Sequence, residues 1–250
     1  MSLLRPGLHV LRRDDRHLQV GLDPPWRLVV PDEPDVRRLL ADLQAGDAPC
    51  PATPVGHRVL RELDDAGMLR RAAPPRGRVH VTGPDVVAAE ARRLLTAAGA
   101  GVTADPGAAD VALVLAAGEP ARDPIDDHLR AGRPHLVVTA GAGGYRVGPF
   151  VVPGTTACLR CVDAHLGEHD PRRAVVVEQL AGRVGGPEDP ALATVATAWA
   201  ARDVLRYLSG ELPTSWSATL DLGPACGAVR RDWARHPYCG CSWAQWAGPG

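Results

Sequence analysis

Val79-His80-Val81-Thr82-Gly83-Pro84-Asp85-Val86-Val87-Ala88 changes its hydrophobic period within one turn. Alternating Val79 and Val81 predict a strand, and after Gly83-Pro84 a helix is predicted through the apolar positions Val86, Val87, Ala91, Leu94 and Leu95. The run Val111-Ala112-Leu113-Val114-Leu115 follows as a fully buried strand, then a helix over 123–131 and a strand at Leu136-Val137-Val138. Buried strands alternating with helices predict an α/β domain with a parallel sheet. Residues 191–208 predict a long helix with almost no charge, buried in the domain core or at a subunit interface. Two late strands are expected near 215–222 and 227–231.

Upstream the pattern differs. Leu8-His9-Val10-Leu11-Arg12, His17-Leu18-Gln19-Val20 and Trp26-Arg27-Leu28-Val29-Val30 predict three short antiparallel strands. A helix from Pro34 carries Val36, Leu39, Leu40 and Leu43 on one face, and a second carries Val55, Val59, Leu60 and Leu63. Together they predict a winged helix-turn-helix over residues 1–73, and Ala72-Ala73-Pro74-Pro75-Arg76-Gly77 reads as a linker to a second domain over 74–250.

Composition narrows the chemistry. The 250 residues are 45% apolar and 23% charged with a net charge of −1, a globular balance that excludes a general polyanion binder. All 28 basic residues are arginine, so no P-loop, Schiff-base or protein-kinase lysine exists. The N-terminus lacks the apolar stretch of a signal peptide, and no run approaches the roughly 20 apolar residues of a membrane span, so a cytoplasmic protein with no membrane partner is expected. Residues 1–73 hold 11 Arg against 11 Asp plus Glu, which weighs against a winged-helix DNA-binding regulator and leads to the expectation of no nucleic-acid partner.

Four of the six cysteines form two close pairs, Cys158-Leu159-Arg160-Cys161 and Cys239-Gly240-Cys241, with 77 residues between them. Two such knuckles predict a structural zinc with all four positions filled by protein, hence closed to water or substrate. A redox pair or simply unligated cysteines are the alternatives, disfavoured because the CxC spacing is poor for exchange and the first pair does not open an evident thioredoxin-like helix after a strand. His236, before Pro237, reads as a surface histidine, and Cys50 and Cys226 as ordinary small residues.

A nucleotide site is poorly supported at the first strand-to-helix turn. Gly83-Pro84-Asp85-Val86-Val87-Ala88 keeps one glycine of a phosphate-binding turn, loses an N–H at Pro84 and places a carboxylate at Asp85. Gly141-Ala142-Gly143-Gly144 reads as a hairpin or loop. Other titratable residues are scattered, with no nucleophile beside a base, so no catalytic residue and no cofactor-binding residue is assigned.

The segment Val147-Gly148-Pro149-Phe150-Val151-Val152-Pro153-Gly154-Thr155-Thr156-Ala157-Cys158-Leu159-Arg160-Cys161, with His236-Pro237-Tyr238-Cys239-Gly240-Cys241, closely resembles the E1-like (ThiF-type) proteins of azole-forming (TOMM) ribosomal peptide biosynthesis. These proteins bind precursor leader peptides for YcaO-type cyclodehydratases. The resemblance implies an N-terminal RiPP recognition element, a truncated Rossmann-like E1 domain and a C-terminal zinc knuckle ligated by Cys158, Cys161, Cys239 and Cys241. It also implies that the leader adds as a strand beside Trp26, Leu28, Val29 and Val30 and packs on Val55, Arg58, Val59 and Glu62. E1 enzymes that adenylate use a Gly-rich turn, a phosphate-holding Arg or Lys and a Mg²⁺-holding Asp. Here the turn is degraded and Ala116-Ala117-Gly118-Glu119 ends the comparable strand, so ATP is not expected on this chain. The function implied is a scaffold without its own catalysis that recruits a precursor, as in bacteriocin biosynthesis, and forms a homodimer. An ATP-dependent E1-like adenylyltransferase is the competing enzyme reading.

Overall fold

The computed structural model describes residues 2–71, 76–185, 189–225 and 227–241. The chain divides into two compact units, Met1–Ala73 and Pro74–Gly250.

In the first unit, β2 (Val10–Arg12), β3 (His17–Val20) and β4 (Leu28–Pro31) form an antiparallel sheet in the order β2-β3-β4, leaving one side of β4 unpaired among the described residues. A second ladder, β1 (Ser2–Leu4) against β5 (Leu69–Arg71), pairs two segments that are too short to carry a period. Helices α1 (Pro34–Ala45) and α2 (Pro54–Asp65) begin with proline at a position where its missing N–H costs nothing. They close a core of Val20, Val30, Leu39, Leu43, Val59 and Leu63. Asp35 of α1 fastens the start of α2: its carboxylate accepts from the Thr53 hydroxyl at 2.8 Å and the Thr53 and Ala52 N–H groups at 2.9 and 3.1 Å. Those hydrogen bonds, the Thr53 hydroxyl foremost, hold the carboxyl below its ordinary pKa.

The second unit is a mixed α/β layer structure of Rossmann-like type. Its elements run β6 (Arg78–Thr82), α3 (Asp85–Ala97), β7 (Gly101–Thr103), β8 (Val111–Ala116), α4 (Arg122–Arg130), β9 (His135–Gly141), β10 (Gly144–Val151), α5 (Leu159–Gly167), α6 (Arg173–Leu180), α7 (Pro190–Leu208), β11 (Ala218–Leu222) and β12 (Ala228–Asp232). The sheet order is β12-β11-β10-β9-β8-β6-β7. Strands β7, β6, β8 and β9 are parallel, as the alternation of strands and helices predicts, whereas β10, β11 and β12 add an antiparallel part that makes the sheet mixed. The reason is connection length: Gly141 to Gly144 is a tight hairpin, and a parallel neighbour requires a crossover.

Helix α7 buries Leu192, Ala196, Ala200 and Val204 in the core beneath this sheet, so its apolar surface is satisfied within the chain. Its Asp203 is fully buried and accepts from Thr214 and Ser215 through both backbone and hydroxyl groups, anchoring the segment that leads into β11. Among the described residues no helix is long and apolar enough to cross a membrane. Cys50 is exposed, and Cys226 and the linker residues 72–75 lie outside the described residues.

Candidate metal centre and peptide-binding edge

Strand β10 ends in a tight turn in which the Thr156 hydroxyl accepts from the Val152 N–H at 2.7 Å. The chain then enters α5 with Cys158 as its N-cap and Cys161 in the first turn. The first cysteine pair therefore does open a helix after a strand, contrary to the sequence reading, so helix placement no longer argues against redox chemistry. The second pair does. Cys239 and Cys241 arrive from the C-terminal segment, and the ligand atoms of all four cysteines lie within 4.8 Å of one another. The Cys158–Cys161 and Cys158–Cys239 sulfur separations are 3.6 Å and Cys161–Cys241 is 3.4 Å, none of them a disulfide.

Those spacings fit a zinc ion. Four sulfurs about 2.3 Å from one tetrahedral ion stand roughly 3.8 Å apart. Cys158, Cys161 and Cys239 are at most 5% exposed, and Cys241 is half-buried. Contacts with the other three sulfurs, Cys161 foremost, and then burial push the Cys158 thiol far above its ordinary pKa. Four thiolates could share this space only with a cation between them, as a bound zinc would supply. With four protein donors the site has no vacant coordination position for a reacting group.

His236 is not the surface histidine that its neighbour Pro237 suggested, since it is 5% exposed. Its Nε2 donates to Glu168 at 3.0 Å, while Nδ1 accepts from the Tyr238 N–H at 3.2 Å, so both nitrogens are engaged. His165 packs edge-on against its ring and donates to the Ala234 carbonyl at 3.0 Å. Arg235 reaches the Gly154 carbonyl at 2.7 Å, tying the second knuckle to the turn before the first.

The sequence-assigned peptide residues divide into two sets. Val30 and Val59 are each 1% exposed and belong to the core, so they have no surface for a ligand. Trp26 and Val29 are exposed at 46% and 39%, beside the unpaired side of β4, with Leu28 and Val55 half-buried. The guanidinium of Arg5 lies 5.4 Å from the Trp26 ring centre. On α2, Arg58 and Glu62 are exposed and 3.9 Å apart.

At the first strand-to-helix turn, Gly83 has φ +140°, and a Cβ there would lie 2.3 Å from the Leu115 carbonyl oxygen. This glycine serves close packing of β6 on β8. Pro84 is the N-cap of α3 and Asp85 its first residue, so the helix start offers a phosphate little. At the end of β8, Glu119 is engaged by Arg122, which also holds Asp163 through Nη2 at 3.0 Å. The Gly182 N–H crosses over to the Glu119 carbonyl at 3.2 Å.

No protein-family model and no curated protein matches the sequence. Solved structures do match in fold. A heterocyclase in complex with substrate and cofactor superposes with a TM-score of 0.70 at 17% identity, over 96% of this chain and 39% of that one. The heterocyclase TruD gives 0.70 at 18%, over 96% and 42%. E. coli MccB with ATP, and the microcin C7 biosynthetic enzyme MccB with N-formylated MccA, each give 0.60 at 12%, over 96% and 99%. The chain thus spans about two fifths of the heterocyclase chains it matches. At these identities the likeness is one of fold, and over nearly its whole length the chain shares the fold of the heterocyclase and MccB structures.

Proposed function

We propose that this chain is a leader-peptide-binding scaffold of azole-forming ribosomal peptide biosynthesis, acting in the cytoplasm without catalysis of its own and presenting a precursor to a YcaO-type cyclodehydratase. The observation that carries the reading is the unpaired side of β4, flanked by exposed Trp26 and Val29 in a compact unit with its own core. In this reading residues 1–73 are a winged-helix recognition element. An extended leader continues the β2-β3-β4 sheet, backbone hydrogen bonds supply affinity, and Leu28, Val29 and Val55, with Arg58 and Glu62 at the rim, select its side chains. The zinc knuckle on Cys158, Cys161, Cys239 and Cys241 holds the C-terminal segment on the E1-like unit.

The nearness of MccB, solved with ATP, favours a second reading as an adenylating enzyme. Pro84, Asp85 and the paired Glu119 weigh against it. A homodimer belongs to the proposal too, with exposed Val175, Val176 and Leu180 of α6 as its surface; a monomer mass by light scattering removes it.

Fluorescence-anisotropy titration of labelled leader segments, taken from small peptides encoded beside this gene, tests the proposal. Micromolar or tighter binding is expected, weakened at least about tenfold by Val29→Asp, a loss of about 1.4 kcal/mol or more. Val29 is exposed, so the variant keeps its fold, whereas Val59→Asp unfolds the first unit by burying a charge. Failure of every neighbouring peptide to bind, with ATP binding instead, supports the adenylating reading.

A further inference from the structure

Parallel α/β sheets bind ligands at the carboxyl ends of their strands, and this one has a cavity of about 250 Å³ there. Pro84, Val87, Leu115, Val138, Tyr145 and Thr197 line it, and no charged side chain does among the described residues. Thr197 is 2% exposed, yet its hydroxyl makes no hydrogen bond among the described residues. The hydroxyl is not among the sealed polar atoms that lack a partner, so it stays reachable from the cavity that Thr197 lines.

We infer that this cavity is a binding site for an aromatic group of one or two rings bearing one polar atom, such as an indole or a phenol. Three observations combine. The walls are aliphatic apart from Tyr145 and Thr197, so the hydrophobic effect drives entry and a phosphate finds no counter-charge. The volume lies between a cavity of about 150 Å³ that takes benzene and the roughly 300 Å³ at which drug-sized sites begin. The Thr197 hydroxyl supplies a partner for one polar atom, with Tyr145 bringing a second hydroxyl-bearing side chain to the lining. The ring reaches the site either as a free small molecule or as a tryptophan or tyrosine side chain of a peptide. The site belongs to the second unit and stands independently of the β4 edge.

The test is ¹⁹F NMR of 5-fluoroindole with the full chain, beside N-acetyl-5-fluorotryptophan amide as the peptide-borne form. Saturable line broadening with millimolar or tighter affinity is expected for 5-fluoroindole, as fits a fragment of this size. Binding of the amide as well identifies a peptide side chain as occupant; binding of free indole alone identifies a small molecule. Ala117→Phe places a ring in the cavity and should abolish binding. Thr197→Val should weaken 5-fluoroindole about 3- to 10-fold while leaving 1-fluoronaphthalene unchanged. That pair of probes decides the matter if Ala117→Phe does not fold. Absence of broadening with 5-fluoroindole overturns the inference. So does unchanged binding in folded Ala117→Phe, an equal response of the two probes to Thr197→Val, or displacement of the probe by ATP.

Discussion

His135 shows how one buried ring sets an acid limit on stability. It is fully buried in β9, its Nδ1 donates to the Arg133 carbonyl at 3.0 Å, and its Nε2 has no partner among the described residues. Burial, reinforced by His128 with ring centres 5.3 Å apart, lowers its pKa from 6.5 to about 4 despite that hydrogen bond. The unfolded chain therefore binds a proton that the folded chain refuses, so stability present above pH 6.5 is lost as pH falls toward 4. At 1.36 kcal/mol per pKa unit the loss is about 3 kcal/mol. Chemical denaturation of wild type and His135→Leu at pH 7 and pH 4.5 should show a markedly shallower pH dependence in the variant. Gly83→Ala is a second test at this scale. Its positive φ and the close Leu115 carbonyl predict a loss of at least about 2 kcal/mol by urea unfolding, with no effect on leader binding.

Among the elements, those with a clear period were readable from the residues. Helices α1, α2, α3 and α7 and strands β8 and β9 fall where apolar spacing placed them, because each buries one stripe or both faces against the core. Helices α5 and α6 were not legible. In α5 the cysteine spacing masks the helical period, and α6 carries the unbroken run Val175-Val176-Val177, only the last of which is buried. The cysteine cluster was visible in sequence as two pairs, whereas the cavity at Thr197 was not, because β8, β9, β10 and α7 contribute to it from distant positions. Arg122 was equally hidden. Its side chain is 9% exposed, and burial alone would lower its pKa, but Asp163 and Glu119 raise it on balance. Arg122 joins α4 to α5, and replacing it with alanine strands Glu119 and leaves Asp163 to Arg173 at 3.6 Å. A cost of about 3 kcal/mol is expected, measurable by thermal or urea unfolding.

At the scale of the whole molecule, the two compact units divide the proposed labour: a strand edge in one, a knuckle and a pocket in the other. The metal proposal predicts about one Zn per chain by elemental analysis. Chelation or Cys239→Ser should lower the melting temperature of the second unit by well over ten degrees, since structural zinc contributes on the order of 10 kcal/mol of apparent binding free energy in small domains. Absence of zinc together with an unchanged melt would remove it.

The position of the four cysteines also sets the covalent behaviour of the chain. Cys161 and Cys239 bracket α6, α7, β11 and β12, so a metal held by both pairs turns that stretch into a closed ring. A protease cut anywhere inside the ring would leave two fragments that still migrate as one particle in a native gel. The β10–β11 ladder and the packing of α7 join them too, so the metal's share would show as a higher denaturant concentration needed to part them before chelation than after it.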